Sequence, residues 1–229
     1  MIQLMLDASS SAASVCIVKD GRLLYESYLN NGLTHSSSLM PMVEDAMRHA
    51  GVEMEQIDLF GCVVGPGSFT GVRIGVATVM GLAGEKPCAP VDGLEALAVQ
   101  AVGFDGIVVP MLDARAGQVY AAMFEQGARI GDDEPIKLEE LLEKLAQTGK
   151  KCLFLGDGAA AHQERLAQVS FGVIAPAALH GLHAWAAAEI AQKRPETWIP
   201  APQLRPLYLR APQAERERAA RLEKEAQHG

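Results

Sequence analysis

A glycine-rich segment in the first half of the chain has the residue types of a phosphate-binding loop. Residues 65–75 read GPGSFTGVRIG, follow an apolar stretch that predicts a buried strand, and lead into a predicted helix. Backbone N–H groups at such a strand-to-helix loop can hold phosphate. The known templates do not fit, because a Walker A loop has Lys where this chain has Val72, and a nucleophile elbow needs Gly-x-Ser-x-Gly around Ser68. We therefore assign no catalytic nucleophile, and expect Ser68 or Thr70 to cap the helix.

Two aspartates stand in matching tetrapeptides. Met-Leu-Asp-Ala occurs at residues 5–8 and again at 111–114, 106 positions later. Each copy closes an apolar strand and opens a polar turn, which favours an internal duplication into two related lobes. Asp7 and Asp113 could hold a metal–nucleotide complex between those lobes, or each could cap a turn. The residues alone favour the turn.

Histidine and cysteine spacing does not predict a metal site. Among the six histidines only His180 and His183 are close in sequence, and Gly181 lies between them with no Cys or carboxylate nearby. The four cysteines form no C-x-x-C pair, and thiols in apolar runs behave as small hydrophobic side chains. We expect no metal ligand, no catalytic residue and reduced thiols, as in a cytoplasmic protein.

Composition and charge exclude several classes of protein. The chain has 229 residues, of which 49% are hydrophobic, and a formal net charge of −8. Residues 1–106 hold 12 acids and 5 bases, a net charge of −7, which repels phosphate backbones and argues against a stand-alone DNA- or RNA-binding protein. The longest apolar stretch, residues 74–84, is about half the roughly 20 residues that a membrane helix needs.

Small residues line one face of the helix that follows the glycine-rich segment. They recur in steps of four, three and three, at Gly71, Gly75, Thr78 and Gly81. Each interior glycine costs about 1 kcal/mol relative to Ala, so close approach by another element is expected to compensate. That element is either part of the same fold or, if the helix lies at the surface, another subunit. Four methionines, an adaptable side chain at binding surfaces, cluster in and just after the preceding helix, at Met40, Met42, Met47 and Met54.

Strand and helix patterns alternate after an initial group of antiparallel strands. Strands are predicted at residues 2–7, 14–19 and 22–29, and a helix begins near Ser36 with Pro41 in its first turn. This mixed order predicts an α/β fold rather than a purely parallel sheet. We expect a first lobe over residues 1–106, a second over 107–212 and a charged, frayed tail at 213–229.

Several segments together resemble the TsaB (YeaZ) family over nearly the whole chain. They are LDASSSAASV near the start, His35-Ser36, GPGSFTGVRIG, LDARAGQVYAA from Leu112, and PLYLR at residues 206–210. The resemblance implies a duplicated actin-like, sugar-kinase-like (ASKHA) fold, with two lobes of mixed sheets flanked by helices. It also implies a part in the synthesis of threonylcarbamoyladenosine, the modified base beside the tRNA anticodon.

The resemblance further implies a non-catalytic subunit that binds and activates TsaD, its catalytic paralogue, together with the ATPase TsaE. TsaD carries a metal-binding H-x-x-x-H on the first helix, where this chain has only His35, with Leu39 four residues on. The turns after Asp7 and Asp113 also lack the glycine of nucleotide-binding relatives. We expect no cofactor of its own, ATP only at a shared complex interface, tRNA contact only through the complex, and a homodimer when isolated.

Two sets of site residues follow from these interpretations. The partner interface is expected at Leu39, Met42, Val43, Met47, Gly71, Gly75 and Thr78. A residual nucleotide site, or plain loop structure, is expected at Asp7, Ser9, Ser68, Thr70, Arg73 and Asp113. The alternatives left open are a stand-alone actin-like ATPase or metallopeptidase and a tRNA-docking module, the last opposed by the acidic charge.

Overall fold

The computed structural model describes residues 1–115 and 117–209, so the predicted tail at 213–229 lies outside the described residues. In the first half of the chain the elements are β1 (Ile2–Asp7), β2 (Ala13–Lys19), β3 (Arg22–Leu29), α1 (His35–Ala50), β4 (Leu59–Gly65), α2 (Phe69–Ala83), β5 (Pro87–Asp92) and α3 (Gly93–Val99). In the second half they are β6 (Ile107–Asp113), β7 (Gln118–Glu125), β8 (Ala128–Lys137), α4 (Leu138–Gln147), β9 (Cys152–Leu155), α5 (Asp157–Ala161), α6 (Gln163–Leu166), β10 (Gly172–Ile174), α7 (Ala184–Lys193) and β11 (Ile199–Pro200).

The two sheets repeat one topology. Their strand orders are β11-β5-β4-β1-β2-β3 and β10-β9-β6-β7-β8. In both, the first strand pairs antiparallel with the next strand on one side and parallel with a later strand on the other. The two Met-Leu-Asp-Ala copies end β1 and β6, which are equivalent strands. The predicted α/β fold, with duplicated mixed sheets, is confirmed.

The two sheets and the helices around them form five layers. The helices α1 and α2 cover the outer face of the first sheet, and α4, α5 and α6 cover the outer face of the second. Between the sheets lie α3 and α7, packed in one apolar cluster with side chains from both sheets, such as Met5 of β1 and Leu112 of β6. The two halves therefore share a core. Among the described residues, no helix is both long and apolar enough to cross a membrane.

The expected end of the second lobe is wrong. The helix α7 packs on β1, β2, β4 and β5 of the first sheet, and β11 pairs antiparallel with β5, so that Ile199 lies opposite Cys88. The chain after β10 thus returns to the first sheet, well before residue 212. An alanine-rich helix packs closely on a sheet wherever its small side chains fit, and the order of elements along the chain does not show which sheet that is.

The start of α1 agrees with the prediction near Ser36, but the predicted position of Pro41 in the first turn is wrong. The helix begins at His35, which places Pro41 in its second turn rather than its first. Pro41 removes one intrahelical hydrogen bond, and it does so on the exposed side of the helix. The helix ends at Gly51, which adopts the left-handed conformation with φ of 64° that is typical of a C-terminal glycine cap.

Candidate functional site

The glycines of α2 point in two directions. Gly71 and Gly75 are buried against β1. A Cβ at Gly71 would overlap the carbonyl oxygen of Ala8, and one at Gly75 would lie 3.3 Å from Leu6 Cδ1. These two glycines therefore let α2 lie close to its own sheet, and their prediction as partner-interface residues is wrong.

The predicted interface residues of α1 are also covered by their own chain. Leu39, Met42 and Val43 are 1%, 7% and 1% exposed and pack in the core between α1, α2 and the first sheet. Met47 packs on the same core and, like Thr78 of α2, is half-buried. An amphipathic helix turns its apolar stripe toward its own sheet, so the apolar spacing identified the inner side of α1 and not its outer side.

The opposite sides of α1 and α2 form an exposed surface, which we call the outer face. Its members are Met40 and Glu44 on α1 and Ala77, Met80 and Gly81 on α2. Met40 and Met80 are 39% and 36% exposed. A Cβ at Gly81 would meet nothing within 4 Å, so nothing in the described chain requires a glycine there, although it costs the helix about 1 kcal/mol.

A cleft of about 580 Å³ opens between the halves at the ends of β1 and β6. Four of the six residues predicted for a nucleotide or loop site line it: Ser9, Ser68, Thr70 and Asp113. The others along its walls include Ser10, Ser11, Phe69, Arg115, Tyr120, Asp157, Leu207 and Tyr208. Among the described residues, the cleft is therefore rich in hydroxyl groups, and the carboxylates of Asp113 and Asp157 outnumber the one basic side chain, that of Arg115.

Asp7 lies behind the cleft wall rather than on it. It is fully buried, and its Oδ1 accepts a hydrogen bond from the Ser9 backbone N–H at 2.9 Å. Its Oδ2 has no hydrogen-bond partner among the described residues. Burial raises the pKa of this carboxyl from 3.8 to about 6, against smaller lowering effects of Ser9 and His35. Asp7 is therefore poorly solvated as a carboxylate.

Asp113 and Asp157 meet on the second half's side of the cleft. Asp157 Oδ1 accepts from the Asp113 backbone N–H at 3.0 Å, and Asp113 Oδ1 accepts from the Arg115 N–H at 2.8 Å. Burial raises the pKa of Asp157. In the part of the chain that the structure describes, no three or more His, Cys, Asp or Glu side chains are arranged to hold a metal ion.

Arg73 has a different neighbourhood from the one predicted. Its guanidinium lies over the Phe69 ring, 3.7 Å from the centroid, and its Nε donates to Tyr208 Oη at 2.8 Å. The Phe69 and Tyr208 rings stack at 4.8 Å, and the Leu207 N–H donates to the Val64 carbonyl at 2.7 Å. Arg73 thus fastens the C-terminal segment to the start of α2. The sequence gives no local signal for this contact, because the residues involved are 135 positions apart.

Similarity to known proteins extends over most of the chain. A family model described as TsaD: tRNA N6-adenosine threonylcarbamoyltransferase matches residues 32–217. The chain is also 30% identical over 190 residues to the tRNA threonylcarbamoyladenosine biosynthesis protein TsaB of Bacillus subtilis, which covers 79% of this chain and 82% of that protein. The chain belongs to the TsaB (YeaZ) family.

Further members agree with this assignment. The TsaB protein of Escherichia coli is 32% identical over 164 residues, 68% of this chain and 71% of the relative. The solved structure of YeaZ from Pseudomonas aeruginosa matches with a TM-score of 0.77 at 31% identity, over 91% of this chain and 99% of that one. The two-lobed TsaB fold is therefore preserved here, and the outer face and the cleft are features of a TsaB-family chain.

Proposed function

We propose that this protein is the non-catalytic partner of a TsaD-type transferase in bacterial tRNA modification, and that it binds and activates TsaD. The observation that carries the proposal is the outer face of α1 and α2. Its small residues leave the α2 backbone accessible at Ala77 and Gly81, while the inner glycines are already used by this chain's own sheet. Family membership supports it, because the relatives are named for threonylcarbamoyladenosine biosynthesis.

Close helix packing is what this surface allows. Ala77 and Gly81 are one turn apart on the same side of α2, and helices approach more closely where the side chains between them are small. Ala77 and Gly81 thus form a strip of small residues, and the exposed Met40 and Met80 of the same outer face can adjust to an apposed surface. A helix pair from TsaD would cover the strip, and a second copy of this chain would do so in the isolated protein.

The subunit's contribution in this proposal is conformational. By docking on TsaD it holds the transferase in the arrangement that passes the threonylcarbamoyl group to the tRNA adenosine. TsaE joins the complex, ATP acts at a shared interface rather than on this chain alone, and tRNA is held through the complex. The acidic charge of residues 1–106 agrees with indirect tRNA contact, because that surface repels phosphates.

A reconstituted transfer assay with TsaD and TsaE tests the proposal. We expect modification of tRNA to need this chain, and Gly81→Leu to abolish it by blocking close approach while leaving α2 folded. Ala167→Leu, at an exposed alanine on the other half of the molecule, is the matched control and should retain activity. Full transfer without the chain would overturn the proposal. ATP turnover by the chain alone, lost in Asp7→Ala, would instead support the stand-alone ATPase.

A further inference from the structure

The loop between β1 and β2 contacts both helices of the outer face through its backbone. We infer that residues 8–11, here called the serine loop, and the first turns of α1 and α2 form one mechanical unit in which His35 is the positioning residue. Docking on the outer face is then transmitted to the inter-lobe cleft. This inference rests on the proposed function, since docking is what drives the unit.

Three consecutive carbonyl groups of the loop meet three different points on the helices. The Ala8 oxygen lies where a Cβ of residue 71 would be, so α2 contacts it directly through the bare Gly71 backbone. The Ser9 oxygen accepts from the Ser68 N–H at 2.6 Å, at the N-cap of α2. The Ser10 oxygen accepts from His35 Nε2 at 2.8 Å, at the first residue of α1. The loop therefore cannot shift without changing a contact to at least one helix.

The same loop also forms part of the wall of the cleft. Ser9, Ser10 and Ser11 all line it. Ser9 is only 1% exposed, and the Ser10 hydroxyl bonds to the backbone of Ala12. The carbonyl groups of the loop are thus committed to the helices, while the loop itself forms part of the cleft wall. A displacement of α1 or α2 therefore moves this part of the cleft wall.

His35 fills the junction between the three elements. It belongs to α1, it donates to the loop at Ser10, and its Cδ2 lies 3.1 Å from the place of a Cβ on Gly71 of α2. Its Nδ1 is buried with no partner in the described part of the chain. Among the described residues, His35 is therefore hydrogen-bonded to the loop through Nε2 alone. A substitution can be chosen that keeps this hydrogen bond, and another that removes it.

Packed contacts of this kind transmit displacements because a close-packed interior does not deform smoothly. Coupling between two sites is also reciprocal, so docking on the outer face and the closed position of the serine loop stabilise each other. Docking should therefore slow opening of the serine loop at the cleft.

Hydrogen–deuterium exchange of the full chain, free and saturated with TsaD, measures this directly. We expect the amides of residues 9–14 to exchange about fivefold or more slowly in the complex. His35→Gln should keep that protection, because the glutamine amide nitrogen reaches the place of Nε2. His35→Asn should lose it while still binding TsaD, because the asparagine amide lies at the depth of the unused Nδ1. Gln168→Asn, at an exposed site on the other half of the chain, is the control and should keep the protection.

The outcomes separate the inference from the proposed function. Absence of a complex with the wild-type chain would contradict the proposed function itself. A complex that forms without slowing exchange in residues 9–14 overturns the inference alone. Protection that persists in His35→Asn also overturns it, because direct contact by TsaD would then be the cause. Should His35→Asn fail to fold, as judged by circular dichroism, the wild-type exchange decides.

Discussion

His183 and Glu26 join the start of α7 to strand β3 across 157 positions of the chain. His183 Nδ1 donates to Glu26 Oε2 at 3.1 Å, and Glu26 Oε1 accepts from the Trp185 N–H at 3.0 Å. The imidazole also stacks on the Tyr28 ring, with centroids 4.9 Å apart. Since α7 lies in the layer shared by the two sheets, this pair helps to attach that layer to the edge of the first sheet.

The pair makes stability depend on pH. The hydrogen bond to Glu26 is the main cause that raises the pKa of His183 above its usual 6.5. A raised pKa means that the pair's stabilisation is complete below about pH 6.5 and is lost as the pH rises through the folded-state pKa. We expect Glu26→Gln to lower the Tm more at about pH 6 than at about pH 8.5. An equal loss at both would show that the charge on His183 does not matter.

The carboxyl of Asp7 also makes the folded chain less stable as the pH rises, but the cause is burial rather than a hydrogen bond. Its pKa rises from 3.8 to about 6 on folding because the carboxyl is buried. Ionising Asp7 in the folded chain is therefore unfavourable. As the pH rises from about 4 through 6, the free energy of unfolding falls by about 3 kcal/mol in total.

Asp7→Asn should raise the free energy of unfolding at about pH 8 and flatten its pH dependence. The asparagine oxygen can still accept from Ser9. Urea unfolding at several pH values measures this, and an unchanged pH profile would contradict the assignment.

Gln3 carries a buried side-chain amide. It is 0% exposed on β1, and neither its Nε2 nor its Oε1 has a hydrogen bond in the described part of the chain. A buried unsatisfied polar group costs about 1–3 kcal/mol. Gln3→Leu should therefore stabilise the chain by a similar amount in chemical denaturation. Gln168→Leu, at an exposed site, serves as control with little expected change. A destabilised Gln3→Leu would indicate that the amide is satisfied in solution.

Because Gly71 and Gly81 lie on opposite sides of α2, alanine substitutions at these two positions should have opposite effects on stability. Gly71→Ala places a methyl group on the Ala8 carbonyl, and should destabilise the isolated chain, since backbone there cannot move aside cheaply. Gly81→Ala adds a methyl group in open space, and should stabilise it by about 1 kcal/mol through helix propensity. Thermal unfolding of both variants compares them. Equal effects would contradict the orientation of α2.

Sequence patterns predict the elements whose periodicity is strong. The hairpin of β2 and β3 follows from Asp20-Gly21, and the duplication follows from the two tetrapeptides at the ends of equivalent strands. Periodicity does not predict strand β5, because Pro87 and Pro90 interrupt its pattern. It does not predict strand β8 either, because the acidic run there does not alternate with apolar residues.

The candidate site is predicted only in part, for a geometric reason. Spacing along α2 shows that Gly71, Gly75 and Gly81 share a helix, but it does not show which of them face the chain's own sheet. The cleft residues are found because they end strands or begin α2. The links made by Arg73 to Tyr208 and by His35 to Ser10 join segments far apart in sequence, and side-chain spacing carries no record of them.

The affinity of this chain for TsaD, measured by calorimetry, tests the central claim most directly. Ala77→Arg places a long charged side chain in the middle of the outer face, and should weaken binding about 30-fold or more. Ala167→Arg adds the same charge away from that face and should bind within about twofold of wild type. Binding of Ala77→Arg as tight as that of the control would show that TsaD docks elsewhere.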